Sequence, residues 1–285
     1  MDKTTKNEIW LVRHAHSLFN MWDDWHEERL KSSDLTPTEV SFATSVIDKF
    51  DSKLVDPILS HIGVSQCIAA QPLINTLPIK YVLVSPIQRT LETAKLLFEN
   101  HPSLPKIQFI VLPLIREIIA DPGDIPCFTL ERMKEKYTTL KNFNFDFELV
   151  ENAENKNLYF LETMPQDVQE LVYKEIEVQG AENYIEAMLK VMKERYSRNP
   201  QHKKKIESFE NGRKRCHAFA EWVANTFMKE KGVTGKEIMV VSHSVYLSNL
   251  IAPEFNDYGK AVCPKIRNAA PFLFDFNSVI PFKSN

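Results

Sequence analysis

A chain of 285 residues with 44% apolar side chains can bury a sizeable core, and its length suits two domains or one α/β domain with insertions. A formal net charge of −3 with 26% charged residues weighs against a nucleic-acid surface, which leaves a basic footprint, and no apolar run approaches the ~18–20 residues that cross a bilayer. Four scattered cysteines without a CxxC pair argue against a disulfide framework or zinc knuckle; with no apolar leader segment in MDKTTKNEIWLV, a reducing, cytoplasmic setting is expected.

In chain order, EIWLV at 8–12 is a short apolar run that stops abruptly at Arg13-His14. YVLV at 81–84 stops at Ser85-Pro86, IQFIVL at 107–112 at Pro113, and EIMVV at 237–241 at Ser242-His243. Continuous apolar runs of this length suit strands buried on both faces, as in a parallel sheet. Between them lie helical patterns. Ser85-Pro86-Ile87-Gln88 reads as a helix start, with Ser85 as N-cap, Pro86 at the first position and Gln88 at the third. Ile87, Leu91, Ala94 and Phe98 then form an apolar stripe, with Arg89 off it. A later helix is predicted over 208–229, with Phe209, Cys216, Phe219, Ala220, Val223 and Phe227 on one face and Gly232 and Gly235 ending it.

The economical solution is an α/β fold: a mostly parallel central sheet flanked by helices on both faces. Residues 118–200 differ, mixing aromatic and charged segments with a helical run near 181–195. They are expected to form a helical or irregular insertion, a lid or subdomain over a site, within a single domain spanning 1–285.

Ligands of open α/β sheets bind outside the carboxyl ends of the strands. Arg13 and His14 leave one such end, His243 leaves another, and Arg89 follows a third in a first helical turn, where the helix dipole disfavours a cation unless an anion shares the site. Together these four residues describe an anion site. Seven glycines form neither a GxGxxG nor a Walker loop, so dinucleotide and P-loop readings have no support. His14-Ala15-His16 also permits a different class, a metal-dependent hydrolase with two histidines sharing an ion.

The ordered set of motifs resembles the histidine phosphatase (phosphoglycerate mutase-like) superfamily. Its Arg-His-Gly fingerprint, with Ser or Thr and Asn following, reads here as Arg13-His14-Ala15, Ser17 and Asn20. Its Ser-Pro-x-x-Arg appears as Ser85 to Arg89, its late histidine as Ser242-His243, and its Glu-Ser-x-x-Asp-x-x-x-Arg helix as Glu207-Ser208 to Arg215 with Asn211 in place of Asp. Ala15, His16 and Ser244 depart from the usual residues, which leaves the subfamily open. The resemblance implies a cofactor-free, metal-independent phosphomonoesterase acting on a small phosphorylated metabolite. His14 would be the nucleophile, Glu117 the proton donor (Asp121 and Asp124 standing in if it points away), and His243 the second catalytic imidazole. Arg13, Arg89, Ser17 and Asn20 would bind phosphate. A mutase, which passes the phosphoryl group to an alcohol, and a non-catalytic phospho-ligand binder stay open. His16 and His61, the Trp22/Trp25 pair and the basic run at 202–205 are expected to be structural or solvated.

Overall fold

The protein is described by a computed structural model covering residues 8–127, 129–153, 158–162, 164–198 and 206–279. The basic run at 202–205 lies outside the described residues. A six-stranded sheet has the spatial order β4-β3-β2-β5-β1-β8. Its strands are β1 (Glu8–Arg13), β2 (Tyr81–Val84), β3 (Gln108–Val111), β4 (Asn144–Asp146), β5 (Ile238–Ser242) and β8 (Phe272–Asp275). All neighbours pair in parallel except β8, which runs antiparallel along β1. A separate two-stranded ribbon joins β6 (Glu254–Phe255) and β7 (Ala261–Val262).

The period of two in a strand divides each apolar run between two cores. Val12, Val82, Val84, Phe109, Val111, Met239 and Val241 face one side. There they meet α3 (His61–Ile74), α4 (Gln88–Phe98), α5 (Leu130–Thr138), α7 (Gln166–Gln179) and α8 (Tyr184–Arg198). Leu11, Leu83, Ile110, Val240 and Ile238 face the other side, covered by α9 (Phe209–Val223) and α10 (Ser244–Ile251). With both faces covered, the sheet's central runs carry no polar alternation. The expected α/β class with a mostly parallel sheet is the observed one.

Two strands of the six-stranded sheet were not anticipated. β4 has three residues, too few for a periodic signal, and β8 is an edge strand whose residues alternate between half-buried and exposed. β4 and the α7–α8 pair come from the 118–200 segment: β4 extends the sheet beyond β3, and the helices pack into the first core. No helix among the described residues is long and apolar enough to cross a membrane.

The start of α4 departs from expectation. Its N-cap is Ile87, and Ser85 points elsewhere. The capping oxygen comes from afar: the carboxylate of Asp56 accepts from the Gln88 amide at 2.8 Å and from the Cys127 amide at 3.1 Å. Nor is Arg89 off the buried surface, because α4 lies between the sheet and other helices and is buried on nearly every side. The later helix begins at its Ser208 N-cap as predicted, becomes a π-helical stretch from Ala224 to Glu230, and is followed by Gly232 at a φ of 63°.

Candidate active site

The parallel strands deliver their last residues to one edge. Arg13 is in register with Ser242, and Val84 with Val241, so the segments after β1, β2 and β5 emerge side by side. A cavity of about 370 Å³ opens there, lined by Arg13, His14, Arg89 and Glu117, with Ser17 and Asn20 from the start of α1 (Leu18–His26). Four strand ends far apart in sequence thus supply its polar wall.

His14 is buried, and its Nδ1 lies 2.7 Å from the Ala15 carbonyl oxygen. A carbonyl only accepts, so Nδ1 carries the proton and Nε2 keeps its lone pair. Burial, followed by the nearby charges of Arg89 and Arg13, pushes this imidazole well below the ordinary histidine range. The ring is therefore neutral across the physiological range.

His243 is fully buried, with its ring centroid 5.2 Å from that of His14. Its Nδ1 is 3.0 Å from an Arg89 nitrogen and its Nε2 is 2.7 Å from the Ser85 hydroxyl. Arginine only donates, so Nδ1 accepts and Nε2 donates to Ser85. Burial and then Arg89 push this ring, too, well below its usual range. His243 is a neutral group behind Arg89, and it holds that guanidinium in place.

Arg89 also donates to the Gly123 carbonyl and to Asp124, at 3.0 Å from the latter. The Asp124 carboxyl is pushed up to about 7, chiefly by burial, with Arg89 opposing and Glu117 and Asp121 reinforcing the rise. Glu117 points toward the cavity. Its Oε1 accepts from the Ile118 and Tyr246 amides, both at 2.8 Å, and its Oε2 from the Val245 amide at 3.0 Å. Two of these amides belong to the first turn of α10, so the carboxylate satisfies donors that the helix leaves unpaired.

Ser17 is the N-cap of α1, and Asn20 closes a capping box with it through its side-chain oxygen. Both line the cavity while performing this local task. His16 turns away from His14. Its Nδ1 meets the Ser60 hydroxyl at 2.7 Å and its Nε2 meets Asp24 at 3.1 Å, so it ties α1 to the start of α3. No grouping of three or more His, Cys, Asp or Glu suited to a metal ion occurs among the described residues. His61 bonds Glu39, and neither Trp22 nor Trp25 lines the cavity.

Beneath the cavity lies a buried ion cluster. Glu207 and Arg116 are both fully buried and bond at 2.6 Å, and Arg215 bonds the other Glu207 oxygen at 2.9 Å. Arg215 also donates to the Arg116 and Leu114 carbonyls at 2.8 Å, which fixes the backbone that carries Glu117. Arg116 thus pairs with Glu207, its sequence neighbour Glu117 being engaged at α10.

Several cavity residues gave no signal in the sequence. Lys49, paired with Asp121, comes from a loop, and Phe19 is unremarkable until the chain folds. Asp56 has a φ of 41° and is visible as important only through its two distant amides.

The profile of the histidine phosphatase superfamily (branch 1) matches residues 9–154, just over half of the chain. The chain belongs to that superfamily. Among solved structures, a phosphoglycerate mutase from Bacillus anthracis is similar at 14% identity, covering 100% of this chain and 95% of that one, with a TM-score of 0.46. A mycobacterial glucosyl-3-phosphoglycerate phosphatase is similar at 15% identity, with coverage of 96% and 95% and a TM-score of 0.44. An ecdysone phosphate phosphatase from Bombix mori, in complex with tungstate, is similar at 12% identity, with coverage of 98% and 95% and a TM-score of 0.43. No curated protein matches the sequence.

Proposed function

We propose that this protein is a phosphomonoesterase that hydrolyses a small phosphorylated metabolite through a phosphohistidine on His14. The observation that carries this reading is the state of the His14 ring: its Nδ1 proton is committed to the Ala15 carbonyl, so the unprotonated Nε2 is the nucleophilic atom. Arg13 and Arg89 line the same cavity and offer fork-shaped donors to the phosphate oxygens.

In the first step the Nε2 lone pair attacks phosphorus in line, the N–P bond forms, and the ester P–O bond breaks. The departing oxygen takes a proton from Glu117, whose Oε2 accepts a single amide and so retains a site for a proton. In the second step Glu117 removes a proton from water, the oxygen attacks phosphorus, and the N–P bond returns its electrons to Nε2 with release of phosphate. Stabilising the transferring group is the task of Arg13 and Arg89, since positioning and electrostatics dominate phosphoryl transfer. His243, neutral and bonded to Arg89, keeps that arginine aimed.

Turnover of a generic aryl phosphate in the presence of EDTA tests this reading. His14→Ala is expected to abolish turnover, and full activity in that variant overturns the reading. The metal-dependent alternative meets a geometric obstacle, because both His16 ring nitrogens are already engaged, by Ser60 and Asp24.

A further inference from the structure

We infer that the substrate is a monophosphate ester whose alcohol is uncharged and presents an apolar surface, and that phosphoglycerates are poor substrates. The inference rests on the phosphatase reading above and specifies its leaving group. A cavity of about 370 Å³ lies at the small end of ligand sites.

The charges around the cavity decide which alcohol. Arg13 and Arg89 serve the phosphate, and among the described residues the remaining cation lining the cavity is Lys49. Lys49 is held in an ion pair by Asp121, which stands on the same wall. A carboxylate or second phosphate on the leaving group would have to displace Asp121 from Lys49 and would meet that carboxylate as a like charge, an arrangement that interfaces use to reject wrong partners. Among the uncharged residues of the wall, Phe19 from the first turn of α1 and Val245 in the first turn of α10 are apolar, beside the polar Ser17, Asn20 and Ser244. Phe19 and Val245 accept carbon–hydrogen or aryl faces.

The test compares kcat/KM for glycerol 3-phosphate and 3-phosphoglycerate, which differ by a hydroxymethyl group in place of a carboxylate, with phenyl phosphate measured alongside. The expected order places phenyl phosphate and glycerol 3-phosphate at least tenfold above 3-phosphoglycerate. Asp121→Asn, which removes that carboxylate from Lys49, is expected to raise 3-phosphoglycerate turnover on the order of tenfold relative to glycerol 3-phosphate. Phe19→Ala is expected to lower kcat/KM for phenyl phosphate selectively. Equal or faster turnover of 3-phosphoglycerate by the unmodified protein, or mutase activity with 2,3-bisphosphoglycerate, overturns this inference and leaves the phosphohistidine reading standing. Absence of turnover on all three esters overturns the phosphatase reading itself, and this inference with it.

Discussion

His14 and His243 face each other with ring centroids 5.2 Å apart, yet their Nδ1 atoms carry opposite hydrogen-bonding roles. In His14 this nitrogen donates to the Ala15 carbonyl; in His243 it accepts from Arg89. The pair is therefore asymmetric. One ring presents a free lone pair on Nε2, and the other spends both nitrogens on holding an arginine and a serine.

That asymmetry makes Ser85 a positioning residue. Its hydroxyl accepts the Nε2 proton of His243 at 2.7 Å, and both groups are fully buried. Ser85→Ala leaves that donor without a partner, a cost of about 1–3 kcal/mol, and loosens the ring that aims Arg89. A fall in kcat of roughly tenfold is expected, with Ser85→Thr restoring part of it where its hydroxyl reaches the same point. Steady-state kinetics on an aryl phosphate checks this, and unchanged kcat in the alanine variant contradicts the assigned role.

The buried cluster below the site sets a stability expectation. Glu207 bridges two buried guanidinium groups, Arg116 and Arg215, one through each carboxylate oxygen. Removing one partner of a buried ion pair leaves uncompensated charge, at a typical cost of about 3–5 kcal/mol. Glu207→Gln is expected to lose stability on this scale in urea unfolding. A loss near zero would mean that the two arginines find other counter-charges.

Gly63 occupies a point where backbones touch. A Cβ on it would lie 2.0 Å from the His16 carbonyl oxygen, two residues beyond the nucleophile, and main chain cannot rotate aside. Gly63→Ala must push α3 away from this loop, at a cost of about 1–3 kcal/mol. Thermal unfolding measures that cost. Turnover by the surviving folded fraction is expected to fall as well, because the same loop carries His14.

Asp124 provides a pH signature. Burial raises its folded carboxyl to about 7, above its unfolded value. Between those two values the folded state binds more protons than the unfolded state, so this group's contribution to stability declines as pH rises toward 7 and stays low above it. The histidines act with the opposite sign: His14 and His243, held well below the usual range, make stability fall as pH drops below about 6.5. Asp124→Asn removes the first contribution only. Relative to the unmodified protein, the variant is expected to be more favourable at pH 8 than at pH 5, read as the difference in Tm at each pH. A pH-independent difference would show that Asp124 stays ionised throughout.

The sequence by itself determined the sheet's central strands and the residues at their ends. Four apolar runs without polar alternation have one stable use, a parallel sheet covered on both faces, and chain order alone places Arg13, His14 and His243 where those runs stop. The start of α9 was equally legible, because Ser208 caps it within three residues. The tertiary structure decided everything that depends on partners distant in the chain. It gave Ser85 to His243 in place of a helix cap and supplied Asp56 as the cap of α4. It also paired Arg116 with Glu207, leaving Glu117 to α10, and set Asp121 on Lys49 at the cavity wall. Local patterning reports which face of an element is buried. Which carboxylate meets which cation is settled only when the elements pack, since burial penalises every charged or polar group that fails to find a partner, whatever its place in the sequence.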